Sequence, residues 1–197
     1  LVPVFVDIDP DTYNIDPRRV EEAVTKRTGA IMAVHFGGQP ADLDALTEIA
    51  RRRGIPLIED AAHALGAAYR GVEIGASGDL VVFSFHAIKN ATTGEGGMVV
   101  TNNGALAALV RRLREYDIDN RRPYIHELLS WNLRLSSLEA ALGLAQLERL
   151  DELIEKRRPV AAGLGGGSSD AGRALLAGAA TIEACGGPRL SQETLRR

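Results

Sequence analysis

Apolar residues in the first half of the chain come in short runs separated by helical patterns. Residues 4–6 (Val4, Phe5, Val6) read as a short strand, followed by the turn Asp9-Pro10-Asp11. Asp16-Pro17 predicts a helix start, with Asp16 as N-cap and Pro17 in the first helical position. Val20, Ala23 and Val24 form its apolar stripe. A second strand is expected over residues 30–34, ending at His35 and broken by Gly37-Gly38. Asp42 predicts the cap of a helix through Arg53, with Leu43, Leu46 and Ile49 on one face and Gly54 closing it. Residues 56–58 then predict a buried strand ending at Glu59-Asp60.

Two further strands are expected over 80–85 and 98–101, a helix over about 105–116, and one long helix over about 137–157. Strands that alternate with helices predict right-handed βαβ units, hence an α/β fold with a mostly parallel sheet and helices on both faces. Ligands in such sheets bind beyond the carboxyl ends of the strands, where His35, Asp60 and the segment after Ser84 fall.

Composition sets outer bounds on function. The 197 residues are 45% hydrophobic and 25% charged, a balance that allows a packed core. A formal net charge of −3 offers no basis for nucleic acid or an anionic membrane as main partner. Cys185 is the only cysteine, which excludes an internal disulfide framework and agrees with a cytoplasmic setting. No apolar run reaches membrane-span length, and no leader pattern opens the sequence. The strand pattern begins at Leu1 without an initiator methionine, so the sequence is expected to start inside a domain.

The candidate chemistry lies in Ser84-Phe85-His86-Ala87-Ile88-Lys89-Asn90, followed by Thr92-Thr93-Gly94-Glu95-Gly96-Gly97. A lysine just past a buried strand, among glycines that allow close backbone approach, can form a Schiff base with a carbonyl group. Taken alone, such a lysine is more often a surface charge. Ser84 offers a hydroxyl to a phosphate, and Asp60, at another strand end, offers a carboxylate to a protonated pyridine nitrogen. As a lone residue, Asp60 reads more readily as a cap for the alanine-rich stretch that follows. His35, His63 and His86 lack the spacing of a metal site, so no metal is expected.

Glu59-Asp60-Ala61-Ala62-His63-Ala64, the Ser84 to Asn90 segment and Gly94-Glu95-Gly96-Gly97 closely resemble the DegT/DnrJ/StrS family of nucleotide-sugar aminotransferases. The likeness runs from Pro3-Val4-Phe5-Val6-Asp7 through His35-Phe36-Gly37-Gly38-Gln39-Pro40 to Asn132-Leu133-Arg134-Leu135 and the helix after it. It covers about residues 1–157 as a fragment of the large domain. The resemblance implies a fold-type-I enzyme dependent on pyridoxal 5'-phosphate (PLP), normally a homodimer, that moves an amino group from glutamate to a keto nucleotide sugar. It implies Lys89 as the Schiff-base and proton-transfer lysine and Asp60 as partner of the pyridinium nitrogen. His63 is implied on the ring-hydroxyl side, Ser84 on the phosphate, and Asn132 on the phosphate of the neighbouring subunit's cofactor. The Ser84 to Asn90 wording looks most like enzymes of 4-aminosugar synthesis for cell-surface polysaccharide and lipopolysaccharide.

Family members carry a long segment before the point matching Leu1, with a phosphate loop and a ring-stacking aromatic, so activity of this stretch alone is expected to be impaired. Composition shifts near Pro159, and residues 158–197 are expected to form a separate Gly/Ala-rich helical tail. Gly163, Gly165, Gly166, Gly167, Ser168 and Ser169 resemble the phosphate loop of GHMP kinases, in particular the diphosphocytidyl-methylerythritol kinase; a flexible linker is the plain alternative. Two other readings stand beside the aminotransferase: a non-catalytic relative that keeps the fold, and a phosphate-binding module built on the tail.

Overall fold

The computed structural model describes residues 1–118 and 125–165, with side chains described to residue 157. The chain divides into two compact units: Val6–Leu150, and Leu1–Phe5 with Asp151–Arg197.

The larger unit begins with helix α1 (Pro17–Ala23), started by Asp16, whose carboxylate accepts the Arg18 N–H at 2.9 Å. Strand β1 (Ile31–Val34) follows, then helix α2 (Leu43–Arg53). Asp42 caps α2 through the Ala45 N–H, and Gly54 ends it in the left-handed conformation (φ 64°) that glycine adopts without steric cost. Strands β2 (Leu57–Asp60), β5 (Leu80–Ser84) and β6 (Gly97–Val100) complete the sheet, in the order β1-β2-β5-β6. The first three are parallel and β6 is antiparallel to β5. Between β2 and β5 lies a two-stranded ribbon of β3 (Ala68–Tyr69) and β4 (Val72–Glu73). Helices α3 (Gly104–Arg114) and α4 (Ser137–Leu147) follow, and Ser136 with Glu139 forms a reciprocal capping box on α4.

Side chains alternate across the sheet, and the register assigns each face. Ile31, Ala33, Leu57, Glu59, Val81 and Phe83 share the buried face. Val20 of α1 and Leu46, Ile49 and Ala50 of α2 pack there with Ile31, Ala33 and Leu57. The opposite face carries Met32, Val34, Ile58, Asp60, Val82 and Ser84, with Met32 and Val34 exposed. Asp60 and Ser84 therefore stand on one face of the sheet near its carboxyl end.

Residues 4–6 form no strand. Val2, Val4 and Phe5 are exposed, and no ladder partner pairs with them among the described residues. An apolar, β-favouring run makes a strand only when a neighbour accepts its hydrogen bonds.

The single long helix expected over 137–157 is two helices, α4 and α5 (Leu150–Gly165). At the junction Arg149 N–H bonds to the Gln146 carbonyl, three residues back, which tightens the turn and ends α4. Helix α5 runs on through Pro159 to Gly165. The rest of the tail, with Ser168, Ser169 and Cys185, lies outside the described residues. Among the described residues no helix is long and apolar enough to cross a membrane.

Candidate active site

Three of the expected residues act on one another electrostatically: Asp60, His63 and Lys89. Asp60 is the last residue of β2. Its carbonyl accepts the His35 N–H at 2.9 Å and its carboxylate accepts the Ala62 N–H at 3.0 Å, so both ends of the residue are tied.

Lys89 sits in the loop that links β5 to β6, and it is buried, at 8% exposure. Phe85 closes that loop: its N–H bonds to the Gly96 carbonyl at 2.8 Å, and its carbonyl accepts from the Thr93 N–H and the Thr92 hydroxyl. Gly94 and Gly96 have φ of 87° and 127°, so the loop turns where side chains would strain it. The Gly94 N–H is itself taken by Thr92 Oγ1 at 2.8 Å. The glycine-rich turn thus closes the lysine loop through its own backbone groups.

Burial pushes the Lys89 ammonium below its ordinary pKa, and the Asp60 carboxylate pulls it partly back. His63 is lowered as well, first by burial and then by the Lys89 charge, with Asp60 again opposing. Near neutral pH the His63 ring is therefore neutral. Its Nδ1 is buried and has no hydrogen-bond partner, a costly state for a polar atom. Phe36 packs edge-on to the ring at 6.4 Å between centroids. Gly38 comes so close to the His63 carbonyl that a Cβ there would lie at 2.9 Å. The arrangement offers a buried amine of lowered pKa, a fixed carboxylate and an unsatisfied imidazole nitrogen.

Ser84 ends β5, and its Oγ accepts the His86 N–H at 3.3 Å. Asn132 makes no hydrogen bond to Asp60, His63 or Lys89. It is exposed, forms an isolated bridge with Glu115, and accepts the Arg134 N–H at 3.3 Å.

His35 and Glu59 were not singled out as a pair by the sequence. Both are buried, at 0% and 2% exposure, and His35 Nε2 lies 3.0 Å from Glu59 Oε2. The available signal was strand alternation: Glu59 next to Asp60 must point to the opposite, core-facing side. Among the described residues no group of three His, Cys, Asp or Glu side chains is placed to hold a metal ion.

The profile of the DegT/DnrJ/EryC1/StrS aminotransferase family matches residues 1–172, past the boundary expected near Pro159. The GDP-perosamine synthase of Caulobacter vibrioides is 49% identical over 158 residues, covering 80% of this chain and 43% of the relative. The structure of DesI in the presence of its TDP-sugar product has a TM-score of 0.75 at 42% identity, covering 85% of this chain and 42% of DesI. The putative sugar aminotransferase Spr1654 of Streptococcus pneumoniae, in its PMP form, has a TM-score of 0.76 at 29% identity, covering 85% of this chain and 48% of that one. The chain thus spans less than half the length of each of these relatives. On the match along residues 1–172 and the shared fold, the chain belongs to the DegT/DnrJ/EryC1/StrS aminotransferase family.

Proposed function

We propose that this chain carries the cofactor-attaching part of a PLP-dependent aminotransferase, which acts on a keto nucleotide sugar with glutamate as amino donor. The observation that carries this reading is the buried Lys89 amine, lowered in pKa beside Asp60 and the unsatisfied Nδ1 of His63. Its family is one of PLP enzymes, and relatives named for GDP-perosamine and a TDP-sugar product support a nucleotide-sugar substrate.

The residues present fit PLP. An unsatisfied buried nitrogen calls for a polar group to face it, a carboxylate suits a pyridinium, and a desolvated amine suits an aldehyde. When bound, the cofactor supplies an electron sink that makes an amino group transferable. Lys89 Nζ would hold the cofactor covalently and, as a free amine, would move the proton that amino transfer requires; its lowered pKa favours that neutral form. Asp60 would hold a proton on the pyridine nitrogen by charge. His63 Nδ1 would face the ring-hydroxyl side, and the Ser84 hydroxyl would bind the phosphate. Asn132, exposed and without a hydrogen bond to these residues, would serve the cofactor of a second subunit, in keeping with a homodimer.

The finer reading is 4-aminosugar synthesis for cell-surface polysaccharide, in the cytoplasm. We assign residues 1–157 to the large domain and 158–197 to a tail. Amino transfer by these 197 residues alone is expected to be impaired, because they span less than half the length of the relatives. The test is to add PLP to the chain, reduce with borohydride and map the labelled peptide. Label on Lys89, lost in Lys89→Ala, is the expected result. Label spread over surface lysines would overturn the assignment.

A further inference from the structure

The His35–Glu59 pair is a buried titratable unit that the proposed chemistry leaves unused, and its hydrogen bonds define its state. The Ala41 N–H donates to His35 Nδ1 at 3.1 Å. A backbone N–H can only donate, so Nδ1 is the acceptor and the ring proton lies on Nε2. Nε2–H in turn donates to Glu59 Oε2 at 3.0 Å. The main chain of the same histidine donates its N–H to the Asp60 carbonyl at 2.9 Å. One residue of β1's end thus grips two successive residues of β2: the side chain of Glu59 on the buried face and the carbonyl of Asp60. Gly78 keeps the other side of the grip open, since a Cβ there would stand 2.2 Å from Glu59 Oε1.

We propose that Glu59 and His35 are positioning residues for Asp60, fixing the end of β2 from the core side so that the Asp60 carboxylate on the opposite face stays aligned with Lys89 and His63. Glu59 acts by reach: its carboxylate must arrive at His35 Nε2, and its charge is secondary. This gives the pair a role in the site although neither side chain faces it. Only the meaning of the alignment for catalysis rests on the cofactor reading above; the alignment itself belongs to the chain alone.

Two variants separate reach from charge. Glu59→Asp keeps the charge and withdraws the carboxylate by one methylene, breaking the bond to His35. Glu59→Gln keeps the reach and an acceptor oxygen and removes the charge. The readout is the titration of Lys89, followed in the full chain without cofactor by the NMR shift of its Cε. Asp60 is the charged group acting on Lys89, and His63 is the titratable ring beside them. Losing the alignment weakens the Asp60 pull that raises Lys89, so its midpoint falls.

The expected result is a fall of about half a pH unit or more in Glu59→Asp and little change in Glu59→Gln. Nitrogen shifts of the His35 ring in the parent chain should report the Nε2–H form. A merely structural role would lower the melting temperature of both variants and leave the Lys89 midpoint in place. The proposal is overturned if Gln moves Lys89 as far as Asp does, if neither moves it, or if the His35 proton lies on Nδ1. Borohydride labelling run in parallel keeps the two readings apart. Loss of Lys89 labelling in the parent with the Asp/Gln pattern intact removes the cofactor reading and supports the positioning pair; the converse result removes the pair alone.

Discussion

Gly97 stands opposite Ser84 where β6 begins, and a methyl group there tests how tightly the site end of the sheet is built. A Cβ on Gly97 would lie 2.5 Å from the Phe83 carbonyl oxygen, a backbone atom that cannot rotate away. Real Cβ contacts are essentially never under 3.0 Å, so β5 and β6 must part by roughly 0.5 Å in Gly97→Ala. Overpacking of this kind costs about 1–3 kcal/mol, which for a chain of this size lowers the melting temperature by about 2–12 °C. The same displacement strains the Phe85–Gly96 bond that closes the Lys89 loop, so PLP labelling at Lys89 should also slow. Gly104→Ala is the control: nothing lies within 4 Å of its Cβ, and alanine is the better helix former in α3, by up to about 1 kcal/mol. Thermal melts by circular dichroism and timed borohydride trapping measure both effects. If Gly97→Ala melts within about 1 °C of the parent and labels Lys89 at the parent rate, the tight β5–β6 contact is not there.

Asp60→Asn removes the charge that raises both Lys89 and His63, so both midpoints should fall further; NMR titrations in which either rises would refute the shared electrostatic cluster. Asp117 offers an acid-sensitivity test. Burial pushes its carboxyl up, but the Arg112 guanidinium at 2.5 Å and the N–H groups of Leu128 and Glu127 outweigh that and hold it below the usual carboxylate range. A carboxyl depressed in the folded state contributes stability above its unfolded value, and that contribution is lost as the pH falls through the folded value. Asp117→Asn should therefore melt lower at neutral pH and lose less on acidification below about pH 4; parallel acid profiles for parent and variant would remove Asp117 from this role.

Much of the frame was legible because its causes are local. Asp16-Pro17 and Asp42 with Gly54 set helix ends through their own side chains and φ preferences, and the observed helices begin or end at those positions. The runs at 31–34, 57–60 and 80–84 are strands because each puts apolar side chains on the face that meets α1, α2 or the adjoining core, with Glu59 the charged exception. The failure at residues 4–6 has the opposite cause: β-favouring composition is local, whereas a ladder partner is not. The ribbon of β3 and β4 went unread, since each of its strands is only two residues long and shows no periodicity.

The site divides in the same way. Sequence determined which chemical groups stand at the strand ends: a carboxylate at 60, an imidazole at 63, a hydroxyl at 84 and an amine at 89. Only the tertiary structure decided what state those groups are in. Lys89 is depressed because the folded loop takes it out of water, and Asp60 reaches it across strands that are distant in sequence. His63 Nδ1 is unsatisfied because the folded chain places no donor or acceptor beside it. The His35–Glu59 pair exists because β1 and β2 lie side by side in parallel register, turning Glu59 inward when Asp60 turns outward. Residue type is fixed by the chain, but burial, pKa and pairing are properties of what surrounds a residue in space, and that environment is assembled from segments that the sequence keeps apart.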